Sequence, residues 1–175
     1  MTGFYPASTF FDRSAEADWD DGDPPTGKPR LGFTLVEMVI TLLILSTLMA
    51  IAVPSYTRAL DNARVARAIE DIRTIEKDII TYEVSAGEPP PTLADVGRAN
   101  LLDPWNRPYE YLRFAGLSGT GAMRKDKFLV PLNSTYDLYS RGKNGQTKPS
   151  LNAAASLDDV IRANDGGFVG LAMDY

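Results

Sequence analysis

The 175-residue chain contains no cysteine and no histidine. Without thiols no disulfide can staple it, and the thiolate and imidazole ligands that zinc prefers are missing. Nucleophilic sets of the Ser-His-Asp or Cys-His kind are excluded for the same reason. A hard cation held by oxygen ligands stays open. An excess of positive charge is also missing. The chain has 18 Lys+Arg against 23 Asp+Glu, a net charge of −5, which argues against a nucleic-acid partner, since such proteins carry a basic patch. The acidity is uneven: residues 1–32 hold three cations (Arg13, Lys28, Arg30) and six acids (Asp12, Glu16, Asp18, Asp20, Asp21, Asp23), leaving 15 cations and 17 acids elsewhere. Charge of either sign is nearly absent from one stretch, where Glu37 alone lies between Arg30 and Arg58.

That stretch holds the dominant signal. Phe33 to Val53 is a run of 21 residues, apolar apart from Glu37 and four hydroxyl side chains. As a helix it spans about 30 Å, one bilayer core. Pro54 follows, yet helical periodicity resumes at once. Val65, Ile69, Ile72, Ile75, Ile79 and Tyr82 form an amphipathic stripe up to about Ala86. The spacing predicts one helix from Phe33 to about Ala86, kinked near Pro54, with Arg67–Asp71 and Glu70–Arg73 as surface pairs. Gly87 and three prolines end it. Residues 1–28 mix Gly, Pro, Asp and Ser without a period and are expected to be disordered. Beyond Gly87 the chain is loop-rich. A short helix is expected at Leu93–Arg98 with Thr92 as its cap, and strands at Tyr109–Arg113, Lys127–Val130 and Tyr136–Tyr139. A region this small is marginal alone and needs the long helix, a cation or neighbouring subunits to stabilise it.

A lone acid in a membrane-grade helix costs energy and calls for a partner. A secretory signal would have a shorter apolar region and a small-residue cleavage site; neither is present. Gly32-Phe33-Thr34-Leu35-Val36-Glu37 resembles the processing site of type IV pilins and type II secretion pseudopilins. The resemblance implies that a prepilin peptidase cuts after Gly32 and methylates the new N-terminus at Phe33. It also implies that Glu37 meets the freed ammonium of Phe33 in a neighbouring subunit, and that Pro54 matches the family's helix-breaking proline. The leader of 32 residues, acidic overall, is long for that family. Lys28 and Arg30 before the apolar run place the N-terminus in the cytoplasm and the C-terminal region outside.

Asp103-Pro-Trp-Asn-Arg-Pro-Tyr-Glu-Tyr-Leu112 and Tyr136-Asp-Leu-Tyr-Ser-Arg-Gly-Lys-Asn-Gly-Gln146 resemble the major pseudopilin of type II secretion. Trp105, Tyr109 and Tyr111 read as packing markers of that fold. The resemblance implies an α+β, pilin-like architecture with four parts. Residues 1–32 form the leader, 33–54 a transmembrane and polymerisation helix, 55–86 its amphipathic half, and 87–175 a small periplasmic domain with antiparallel β structure. It also implies calcium, held by the carbonyl of Arg141, the side chain of Asn144, Asp158 and Asp159, with Asp165 as a competitor. Asn144 stands where the family usually has Asp, which removes a charge from the set. The alternative is that Asn144–Gly145 is a turn and that Asp158–Asp159 caps a helix over Val160–Asn164.

These readings imply a structural subunit rather than an enzyme: a homopolymer in a periplasmic filament that drives protein export, anchored in the inner membrane by a single pass. Its implied partners are minor pseudopilins, prepilin peptidase and an inner-membrane assembly platform. The rivals are a type IV pilin forming a surface fibre for adhesion, motility or DNA uptake, and a membrane-anchored module that never polymerises.

Overall fold

The computed structural model describes residues 32–175; the disorder expected over residues 1–28, and the leader up to Leu31, lie outside them. The chain divides into a unit ending at Ile44 and a second unit, Leu45–Tyr175. A single helix, α1 (Leu35–Ala86), passes through both. Pro54 lies inside α1 without ending it, and the hydroxyl of Thr57 donates to the Pro54 carbonyl at 3.0 Å.

The second half of α1 builds the main core. Ala68, Ile72, Ile75 and Ile79 are buried at spacings that keep them on one face, with Val65 and Ile69 packed at its margin. Burying one isoleucine side chain is worth roughly 1.5–3 kcal/mol over leaving it in water. Of the two surface pairs, Arg67–Asp71 forms at 3.8 Å, while Arg73 donates to the carbonyl of Gly166 at 3.3 Å.

This face of the helix covers a four-stranded antiparallel sheet in the order β1 (Glu110–Arg113), β2 (Tyr136–Ser140), β3 (Val160–Ala163), β4 (Phe168–Leu171). The register pairs Tyr111 with Leu138, Tyr139 with Ile161, and Ile161 with Gly170. Alternate side chains face opposite ways. Tyr136, Leu138 and Val160 join the helix residues and Tyr109 in one cluster. Ile161 and Ala163 join Leu132, Leu151 and Ala172 in a second. The architecture is α+β: one long helix on a small, loop-rich antiparallel sheet.

Three expectations about local structure need correction. The helix expected at Leu93–Arg98 is a single 3-10 turn, Leu93–Val96, capped by Thr92 and closed by Gly97 in the left-handed conformation (φ 72°). Lys127–Val130 is no strand but a tight turn bridged by Asp126 and Leu129, with Lys127 at φ 48°; its β-prone side chains have no neighbouring strand to pair with. The helix considered over Val160–Asn164 is strand β3, and all four of its residues are buried. A four-residue strand with both faces covered shows no alternation of polar and apolar residues, and its arginine disguised it further.

Candidate functional site

The residues singled out in the sequence fall into two groups. The first is the start of the helix. Phe33 is 71% exposed, and every residue from Gly32 to Leu60 is exposed, Glu37 included. An apolar surface this continuous is not stable in water and marks contact with lipid or protein. By length and composition the segment can cross a membrane. Thr34 caps the helix: its hydroxyl accepts the backbone N–H of Glu37 at 3.1 Å. Thr34-Leu-Val-Glu37 therefore has the Thr-x-x-Glu spacing of a capping box, a local signal not weighed in the sequence reading. Glu37 sits in the first turn, where the helix dipole favours an acid. Its carboxylate is open to a partner from outside the chain.

The second group is the loop after β2. Its geometry begins at Asp103, a buried residue in the Asp-Pro-Trp-Asn-Arg-Pro stretch. Asp103 Oδ1 accepts the backbone N–H groups of Trp105 (3.0 Å) and Arg107 (2.8 Å), an Asx-type turn. Its other oxygen accepts the Ser140 hydroxyl at 2.5 Å. The turn aims Arg107 into the loop, where Nη2 donates to the carbonyls of Gly142 and Lys143. Gly142 has φ 59°, and a Cβ there would lie 1.9 Å from the Asp158 carbonyl oxygen, so only glycine fits. On the far side, Arg124 is buried. Its guanidinium donates to Asp159, to the Thr147 hydroxyl (2.7 Å) and to the Lys148 carbonyl (2.7 Å), and lies 4.1 Å above the ring of Tyr139. Burial pushes the Asp159 carboxyl above its ordinary range against the pull of Arg124 and Thr147. Burial likewise raises Asp137, which accepts the Arg124 backbone N–H at 2.7 Å.

The four residues expected to hold calcium lie around this loop, but they are differently engaged. The Asn144 backbone donates to Asp158 Oδ2 at 2.7 Å, while its side-chain oxygen accepts Gln146 N–H at 2.6 Å. The side chain of Arg141 pairs with Glu110 at 2.6 Å, which leaves its carbonyl, the expected ligand, unaffected. One oxygen of Asp159 is shared by Arg124 and Thr147. Asp158 Oδ1 and Asp159 Oδ1 are buried and find no hydrogen-bond partner among the described residues, so two carboxylate oxygens are spare. Calcium takes six to eight oxygens, and no cluster of three acids able to hold a metal occurs among the described residues. The spare side-chain oxygens of this set number two, short of that requirement. Asp165, the competitor, accepts the backbone N–H of Ser134 instead. Arg107 and Arg124, which dominate the site, were not recognised from the sequence. The Asx-turn spacing of Asp103 to Arg107 was a legible hint of the first; nothing local signals the second.

Comparison with known proteins bears on both groups. Residues 27–53 match the family model described as the prokaryotic N-terminal methylation motif. The type II secretion system core protein G of Pseudomonas aeruginosa is 28% identical over 144 residues, 70% of this chain and 90% of that protein. Two fimbrial proteins of Pseudomonas aeruginosa are each 33% identical over 84 residues, 43% of this chain and 54% of theirs. No solved structure matches the chain. The methylation motif thus falls on the exposed head of α1, and the chain is similar, over most of its length, to the core protein G of a type II secretion system.

Proposed function

We propose that this chain is the repeating subunit of a type II secretion pseudopilus. Prepilin peptidase cuts between Gly32 and Phe33, Phe33 is N-methylated, and the mature chain polymerises through its N-terminal helix to drive protein export. The observation that carries this is the wholly exposed apolar segment Gly32–Leu60, interrupted only by Glu37 and Arg58 as charged residues. A partner must cover that surface: lipid before assembly, other copies of the helix after it. In a filament core a carboxylate and an ammonium stabilise each other only as a pair, because either alone is costly to desolvate. Glu37 with the amine of Phe33 from the next subunit supplies that pair and sets the stagger between helices.

The non-enzymatic reading is supported by how the buried acids are used. Asp103 shapes a turn, Asp137 accepts from Arg124 N–H and Asn133 Nδ2, and Asp159 pairs with Arg124. Each is committed to structure. The inner-membrane, single-pass placement with the sheet domain in the periplasm belongs to the same reading, and Lys28 and Arg30 preceding the span support its orientation. Minor pseudopilins and an inner-membrane assembly platform are the partners this role requires.

Deleting the chain should abolish export of the secreted substrates, and re-expression should restore it. Normal export in the deletion strain would refute the role. The second reading, a type IV pilin, is favoured by the similarity to the fimbrial proteins, which covers 43% of this chain. It predicts long fibres in material sheared from the cell surface and unchanged export on deletion.

A further inference from the structure

We propose that two guanidinium groups, those of Arg107 and Arg124, hold the loop Ser140–Lys148 against the sheet in place of a divalent cation. Each makes the contacts that an ion would make. Arg107 gathers the Gly142 and Lys143 carbonyls, and Arg124 gathers the Lys148 carbonyl, Thr147 and Asp159. Together they carry two positive charges, the charge of one divalent ion.

Both groups are built in. The Arg107 guanidinium fills the space beside the loop backbone, for a Cβ on Gly145 would lie 2.1 Å from its Nη1. Its own backbone is held by Asp103. Arg124 is fixed by Asp137 at its N–H and by the Tyr139 ring beneath it. The planar fork of arginine suits this work, since it binds several oxygens with fixed geometry. Asn144, neutral and with its oxygen satisfied by Gln146, fits a loop already neutralised from within. Removing Arg124 would leave Asp159 with both oxygens unpaired by a cation, next to Asp158 Oδ1, and an oxygen-seeking cation would then be drawn in.

The test uses the full mature chain in detergent micelles, melted in excess calcium chloride and in EGTA, and titrated calorimetrically with calcium. The wild type should melt at the same temperature in both and give no saturable heat. Arg107→Met and Arg124→Met should each lower the Tm in EGTA, Arg124→Met by roughly 10 °C. Arg124→Met should also gain a rise in Tm with calcium. Saturable calcium heat in the wild type, a wild-type Tm raised by calcium, or substitutions that leave the Tm unmoved would each overturn the proposal. So would an Arg124→Met chain that folds but ignores calcium. If Arg124→Met does not fold, Arg107→Met and the wild-type titration still decide the question.

Discussion

Replacing Arg162 with methionine tests how the long helix is locked to the sheet. Arg162 Nε donates to Glu76 Oε1 at 2.7 Å, with side chains only 5% and 11% exposed. The guanidinium also lies 4.2 Å over the Tyr136 ring and donates to Asn133 Oδ1 at 3.1 Å. Methionine keeps most of the apolar stem and removes the charge, so Glu76 is left buried on the helix without its cation. Removing one partner of a buried pair costs about 3–5 kcal/mol. Asn133 Oδ1 keeps a second donor in the Asp165 N–H, which argues for the low end, about 3 kcal/mol. For a unit of this size that lowers the Tm by about 10 °C. The double change Glu76→Met with Arg162→Met should recover most of the loss, because no uncompensated charge is then buried. Arg67→Ala, which breaks the exposed Arg67–Asp71 pair, should cost under about 0.5 kcal/mol. Trp105, the only tryptophan of Phe33–Tyr175 and packed on the main core, reports the melt by fluorescence. An Arg162→Met chain no less stable than Arg67→Ala would refute this reasoning.

Other perturbations probe the remaining parts. Glu37→Ala should leave the stability within about 0.5 kcal/mol of wild type, because an exposed first-turn acid contributes little, yet it should block incorporation into filaments, seen as subunits left in the inner membrane. Gly142→Ala should destabilise the domain by more than about 1 kcal/mol, since its Cβ would meet the Asp158 carbonyl at 1.9 Å and φ is 59°; an unchanged melt contradicts the close approach. Burial pushes Tyr111 up to about 12 and raises Tyr136 and Tyr109, the latter helped by its bond to Asp71. These phenols hold their protons longer in the folded state, so their stability is intact below pH 10 and is lost as pH rises toward 12. Tyrosinate absorbance at constant fold should show them titrating late.

The helix was legible because its signals are local: an unbroken apolar run, then Ile72, Ile75 and Ile79 at helical spacing. Ala68 escaped because a small residue carries little hydrophobic weight, although it is fully buried. Strands β1 and β2 were legible from aromatic alternation bounded by turns. Strand β3 was not, because Arg162 looks like a solvent residue until Glu76, 86 positions away in the chain, neutralises it. The same limit applies at the loop. Asn144, Asp158 and Asp159 could be marked by likeness to a motif, but the guanidiniums that grip this region, Arg124 on Asp159 and Arg107 on the carbonyls of Gly142 and Lys143, are brought to it only by the fold. Thr34 and Glu37 show the opposite case, a capping pair readable at three-residue spacing beneath the more specific processing motif.

The central claim is that Gly32–Phe33 is a processing junction and that the chain works from Phe33 onward. The intact mass of the protein extracted from membranes tests it most directly. The account predicts a mature chain of Phe33–Tyr175 carrying one added methyl group on its N-terminal amine. A chain that still retains Gly32 and the residues before it, in cells with an active prepilin peptidase, would contradict it.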